Sequence, residues 1–154
     1  RDVYKRQAFY YGLVKFLGTQ NRPVWSRLSF ADAHSNFIAG AREGLRANMR
    51  WPRVGTVPVR ELITDHLLDH AREGLELLEV DSELIETYLG IIEGRARKGQ
   101  NGATWQLDTL NRLAPNSQPE SAERAEALAT MMRRYLAHQV NGQPVHTWPV
   151  KGRD

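Results

Sequence analysis

The 154-residue chain has no cysteine. Disulfide staples, thiolate nucleophiles and cysteine-based zinc sites are therefore excluded. It has no apolar run near the roughly 20 residues that cross a bilayer, and no signal-peptide pattern opens it. Both absences fit a cytoplasmic protein that does not use a membrane. Charge of one sign is scarce as well. The formal net charge is +3, but residues 1–7 (Arg-Asp-Val-Tyr-Lys-Arg-Gln) supply most of it. They read as translated adapter sequence, and no Met starts the chain. The remaining 18 basic and 17 acidic residues are too evenly matched to support binding to a nucleic-acid backbone. Repeats and low-complexity tracts are also missing. What is present, 41% hydrophobic and 25% charged residues, is the composition of one soluble globular domain with a real core.

The apolar spacing is mostly helical. Phe9, Tyr10, Leu13, Val14 and Leu17 predict a helix stopped at Gly18. Ser29 and Asp32 form the outline of a capping box for a second helix, running to about Glu43 with Gly44 after its end. The period then becomes two: Leu45, Ala47, Met49 and Trp51 alternate with Arg46, Asn48 and Arg50, as in a half-buried strand. A strand this short needs a sheet, and only Thr56 and Val57 are at hand to pair with it. Pro58 opens a helix to about Glu79, with an apolar face of Leu62, Ile63, His66, Leu67, His70, Ala71, Leu75 and Leu78. Asp81 caps the next helix, stapled by Val80 and Ile85, with Leu84, Ile85, Tyr88, Leu89 and Ile92 inward. A short helix covers 103–113. Ser117 and Glu120 suggest a cap for a last helix from about Pro119 to Gln139, with Ala125, Leu128, Ala129, Met132, Tyr135 and Leu136 inward. An irregular tail follows, from which Trp148 is expected to dock on the body.

The stretch 93–110 joins two helices through a Gly-Gln-Asn-Gly loop. Gly99 suits the position after a helix whose last turn carries Arg95, Arg97 and Lys98. Asn101 can cap the helix that follows, and Gly102 permits close backbone approach. A helix N-terminus facing arginines can hold a phosphate or carboxylate. The same spacing equally describes a plain helix corner with solvated charges. Asn36 and Arg42 lie on the helix before the strand, and guanidinium groups suit planar or phosphate anions; here too, ordinary surface arginine is the alternative. His66 and His70 stand four apart on one helix, the spacing of a zinc pair, but residue 67 is Leu and no third ligand is evident. No nucleophile elbow, Walker loop or dinucleotide-binding glycine run is present.

Three blocks carry a resemblance: residues 8–14 (Ala-Phe-Tyr-Tyr-Gly-Leu-Val); residues 25–36 with Ala41-Arg42-Glu43-Gly44-Leu45-Arg46-Ala47 and Trp51-Pro52; and residues 89–95 with 99–106 (Gly-Gln-Asn-Gly-Ala-Thr-Trp-Gln). In this order and spacing the chain, from 8 to 113, resembles the C-terminal part of a bacterial glutamate–cysteine ligase of the second type, the carboxylate–amine ligase family. The resemblance implies a glutamine synthetase-like α+β parent fold, of which this piece is mostly α-helical with one or two short strands. On it, 8–142 is the C-terminal part of a catalytic domain and 143–154 an irregular tail.

The resemblance further implies ATP-dependent amide formation through an acyl phosphate, with glutamate and cysteine, or another amine, as substrates. The Mg²⁺-binding carboxylates are expected in an N-terminal half that this chain lacks, which would explain a partnerless strand and leave this piece inactive by itself. By matching position, Arg42 is assigned to carboxylate or phosphate binding. Asn36, Arg95, Asn101, Gly102 and Gln106 complete the expected substrate- or ATP-binding set. Arg46 stands where many relatives have Asp, which leaves the amine acceptor open. The rival reading is a free-standing helical protein-interaction module without catalysis.

Overall fold

The computed structural model describes residues 2–23 and 26–152. It forms two compact units, Arg1–Gly99 and Gln100–Asp154, each with its own core. Among the described residues no helix is long and apolar enough to cross a membrane. Secondary structure is mainly helical, with one two-stranded antiparallel sheet.

The first unit contains α1 (Asp2–Gly18), α2 (Phe30–Glu43), the strands β1 (Asn48–Trp51) and β2 (Gly55–Pro58), α3 (Val59–Leu62), α4 (Leu68–Glu76) and α5 (Ser82–Lys98). Its core is Leu68, Ala71, Leu75, Ile85 and Leu89, with Ala8, Phe9 and Leu13 of α1 packed on it. Two glycines let α1 reach that core. A Cβ on Gly74 would lie 1.8 Å from the Gly12 carbonyl oxygen, and one on Gly12 would lie 2.2 Å from the Ala71 oxygen. The helices therefore meet backbone to backbone, an approach that only glycine permits.

The caps follow the sequence closely. Ser29 Oγ accepts from the Asp32 N–H at 3.0 Å and donates to Asp32 Oδ2 at 2.8 Å. Asp81 accepts from the Glu83 and Leu84 N–H groups at 2.9 and 3.3 Å, and Val80 packs with Ile85 on the core. The expected strand starts late: residues 44–46 form a single 3₁₀ turn, and alternation of half-buried and exposed side chains begins at Asn48. Nor is the strand partnerless, as expected above. Met49 pairs with Val57 and Arg50 with Thr56, because a turn reverses the chain directly after Trp51. The Val54 N–H donates to Trp51 O at 3.2 Å, Pro52 presets the second turn position, and Arg53 sits third at φ 68°, where glycine is the usual choice. Asn36 reinforces β1 from α2. Its amide donates to Arg50 O and accepts from Arg50 N, both at 2.8 Å.

The helix expected from Pro58 to Glu79 is interrupted. Between α3 and α4, residues Ile63–Leu67 form a π turn, with the Leu68 N–H donating to Ile63 O. In an unbroken α-helix Leu62 and Leu67 would point about 140° apart. The extra residue in the wider turn brings both inward, and both are buried. It also turns the face beyond it: Leu68 is buried, whereas Leu78, expected inward, is 45% exposed.

The second unit contains α6 (Gly102–Leu113) and α7 (Ala122–Val140), around a core of Trp105, Leu113, Ala114, Ala127, Met131, Val145 and Trp148. Two expectations for α7 need correction. Its cap is Ser121, which accepts from the Arg124 N–H at 3.1 Å, while Ser117 donates to Ala114 O. Its inward face is turned by one residue, to Ala127 and Met131, leaving Leu128, Met132 and Leu136 exposed. Aromatic packing sets this face. His138 stacks on Trp148 at 4.8 Å, Tyr135 meets Trp148 edge-on at 5.4 Å, and Trp148 meets Trp105 edge-on at 5.2 Å.

The segment after α7 is bound closely to this core. Gln100 Nε2 donates to Val145 O at 2.7 Å and Trp148 O at 3.0 Å, and Trp105 Nε1 donates to Pro149 O at 3.1 Å.

Candidate functional site

A cavity of about 340 Å³ opens in the first unit where the end of α1, the segment before α2, the hairpin turn and the π turn converge. Each element contributes for a local reason. The last turn of α1 brings Phe16 and Leu17, and Gln20 follows its stop at Gly18. The turn after β1 presents Trp51, Pro52, Arg53 and Val54. His66 and His70, one helical turn apart, come from the π turn and α4.

The chemistry of this lining is one-sided. Arg27, Arg53, His66 and His70 face a cavity to which no Asp or Glu among the described residues contributes. Among the described residues neither Arg27 nor Arg53 forms an ion pair with a carboxylate; Arg27 Nη2 donates to Arg22 O at 3.2 Å. Arg27 Nε and His70 Nδ1 are buried and have no hydrogen-bond partner among the described residues. His70 stacks on Phe16, rings 4.2 Å apart and 10° from parallel. Burial lowers its pKa below the usual 6.5, against the opposing pull of Glu73 and Asp69 and with a smaller downward push from His66. A neutral imidazole therefore prevails at pH 7.

The residues expected to bind substrate or ATP are not among those lining this cavity. Arg42 is exposed in the last turn of α2. Asn36 spends its amide on the β1 backbone. Arg95 is half-buried near the end of α5, a helix end already served by another arginine: Arg60 Nε donates to Ala96 O at 2.5 Å, and its Nη2 donates to Arg97 O. Gly99, at φ 69°, leaves room for that guanidinium, since a Cβ there would meet Arg60 Nη1 at 2.9 Å. Arg97 pairs with Glu93 at 2.7 Å.

In the second unit Asn101 caps α6, accepting from the Thr104 N–H at 2.9 Å, so this helix end is not bare. A Cβ on Gly102 would find nothing nearer than Tyr135 Oη at 3.9 Å; close approach is not what that glycine serves. Gln106 is half-buried on α6. Trp25, the first residue of the second resemblance block, lies outside the described residues, as do Arg1 and the last two residues of the tail. Among the described residues no three His, Asp or Glu side chains gather as a metal site. The Mg²⁺ implied by the resemblance therefore finds no such cluster among the described residues.

No protein-family model, curated protein or solved structure matches this chain.

The cavity residues that sequence reasoning passed over are Arg27, Trp51 and Arg53. Arg53 had a readable signal, because an arginine at the third position of a Pro-containing turn sits where glycine is expected. The His66–His70 pair was visible by spacing, though it read as a weak metal motif.

Proposed function

We propose that the chain is the C-terminal part of an ATP-dependent carboxylate–amine ligase, with glutamate as the phosphorylated acid and cysteine or another amine as acceptor. One observation carries the reading: the order and spacing of the three sequence blocks ending at residues 99–106. In this reading ATP, Mg²⁺ and the metal carboxylates belong with an N-terminal half, and this portion supplies helices and anion-binding side chains. Arg42 is the residue assigned to substrate carboxylate or phosphate, because phosphoryl transfer to a carboxylate gathers negative charge that a fixed cation stabilises. The hairpin partner of β1 removes one argument for a missing sheet, so the reading rests on the blocks alone.

The test begins with the source DNA upstream of codon 8. A reading frame that continues for several hundred codons supplies a parent protein. That parent should couple ATP hydrolysis to amide formation, and Arg42→Ala in it should lower turnover by at least about a hundredfold. Unchanged kinetics would remove Arg42 from the site, and a start codon just before codon 8 would remove the ligase reading.

One observation favours the rival, a helical interaction module. α2 has no buried residue, and Phe30 and Phe37, two turns apart on it, are 86% and 73% exposed. A bare apolar helix face of this kind marks a contact surface. It fits a partner protein as readily as the rest of a ligase, and the upstream sequence distinguishes the two.

A further inference from the structure

We infer that the cavity between the end of α1, the hairpin turn and the π turn binds a small organic anion with a flat apolar body, an aryl carboxylate or aryl phosphomonoester. The inference does not depend on the ligase reading and uses none of the residues assigned there to substrate or ATP.

Three observations converge. First, the lining pairs an apolar wall, Phe16, Leu17, Trp51, Pro52 and Val54, with cation-capable side chains and, among the described residues, no carboxylate. Such a site repels cations, and neutral ligands would leave its charge unanswered. Second, Arg27 and Arg53 have no carboxylate partner among the described residues, and their forked donors match a carboxylate or phosphate head. Two buried nitrogens, Arg27 Nε and His70 Nδ1, have no hydrogen-bond partner among the described residues, although buried polar groups are normally satisfied. Third, two local departures from regular backbone meet at this cavity. One is the left-handed Arg53, and the other is the π turn that carries His66. Both kinds of irregularity concentrate at functional sites.

The volume of about 340 Å³ lies at the small end for ligand pockets. It suits a single ring with its acidic head rather than a nucleotide. The head would meet the two guanidinium groups, and the ring would lie against Trp51 and Phe16.

The test is calorimetric titration of the full chain with benzoate and with phenyl phosphate, set against benzamide, which has nearly the same shape as benzoate without the charge. Saturable binding of one or both anions is expected, with the amide at least about tenfold weaker. The arm that binds tighter names the head group. In ¹H–¹⁵N spectra the Trp51 indole resonance should move on titration, while those of Trp105 and Trp148 stay still. Arg53→Asn removes the guanidinium with a residue that tolerates the left-handed backbone, and should weaken binding at least about tenfold. Arg42→Gln, outside the cavity, should not. Absence of saturable binding for both anions would overturn the inference, as would an amide that binds equally well. Shifts confined to Trp105 and Trp148 would overturn it too, and these wild-type readouts decide the matter even if the Arg53 variant fails to fold.

Discussion

Gly74→Ala is the substitution whose effect runs most directly against local preference. In an isolated helix the change would stabilise by about 1 kcal/mol. Here the new Cβ would fall 1.8 Å from the Gly12 carbonyl oxygen, where real Cβ contacts do not come under 3.0 Å. α1 and α4 would have to part by at least 1.2 Å, and both neighbours of the contact are backbone, which cannot rotate away. A gap of that size forfeits about half the dispersion energy of the atoms facing it. Those atoms include Ala8, Phe9 and Leu13 against Leu68, Ala71 and Leu75. Overpacking of this kind costs about 3 kcal/mol, which leaves a net loss of about 2 kcal/mol after the propensity gain. Gly90→Ala supplies the internal standard, since its Cβ would meet nothing within 4 Å in the exposed face of α5. It should gain about 1 kcal/mol. Thermal unfolding followed by far-ultraviolet circular dichroism should therefore move in opposite directions for two identical chemical changes in the same unit. If Gly74→Ala proved as stable as the parent, α1 and α4 would not cross at these glycines.

Other expectations follow from single contacts. Gly99→Ala should cost about 2 kcal/mol, from the left-handed backbone and displacement of Arg60. Arg60→Ala should cost a comparable amount by releasing the carbonyls of Ala96 and Arg97. Because both changes undo one helix cap, the double variant measured by urea denaturation should lose less than their sum. Thr109 is wholly buried with a hydroxyl that finds no partner among the described residues, so Thr109→Val should raise stability by about 1 kcal/mol; a loss would show that the hydroxyl is bonded. His70, whose pKa is lowered by burial, takes up a proton more readily when unfolded. Stability should therefore fall as the pH drops through about 6.5 and level off below the folded-state pKa. His70→Phe keeps the stack on Phe16 and should flatten that part of the pH profile.

Most local rules were readable where the answer lay within four residues, the exception being the α7 cap, which Ser121 supplies in place of Ser117. Ser29, Asp81 and Asn101 cap as their spacing says, and Gly99 takes the left-handed position after α5. Rules that depend on a distant partner were not. The face of α7 could not be read from its aliphatic stripe, because Trp148, from beyond the helix, selects the His138–Tyr135 side. Gly12 and Gly74 sit inside helices where glycine is unfavourable. That was a hint of close packing, but only the fold says what lies opposite. The π turn was hidden because Leu62, Ile63, His66 and Leu67 fit a regular apolar face well enough to mask one inserted residue. The cavity went unseen for a similar reason: its five polar side chains come from four separate segments, and no spacing rule joins them.

The attachment of residues 143–152 has a practical consequence for anyone trimming the protein. Judged by its prolines and lack of periodicity, this stretch invites deletion. Yet Gln100, the opening residue of the second unit, grips its backbone at Val145 and Trp148. Arg134 holds the carbonyls of Lys151 and Gly152 at 2.9 and 3.1 Å. A stop codon after Gly142 would strip Trp148 from Trp105 and expose an indole face now fully sheltered, a good recipe for insoluble product. Affinity tags belong after residue 152, not in place of what precedes it.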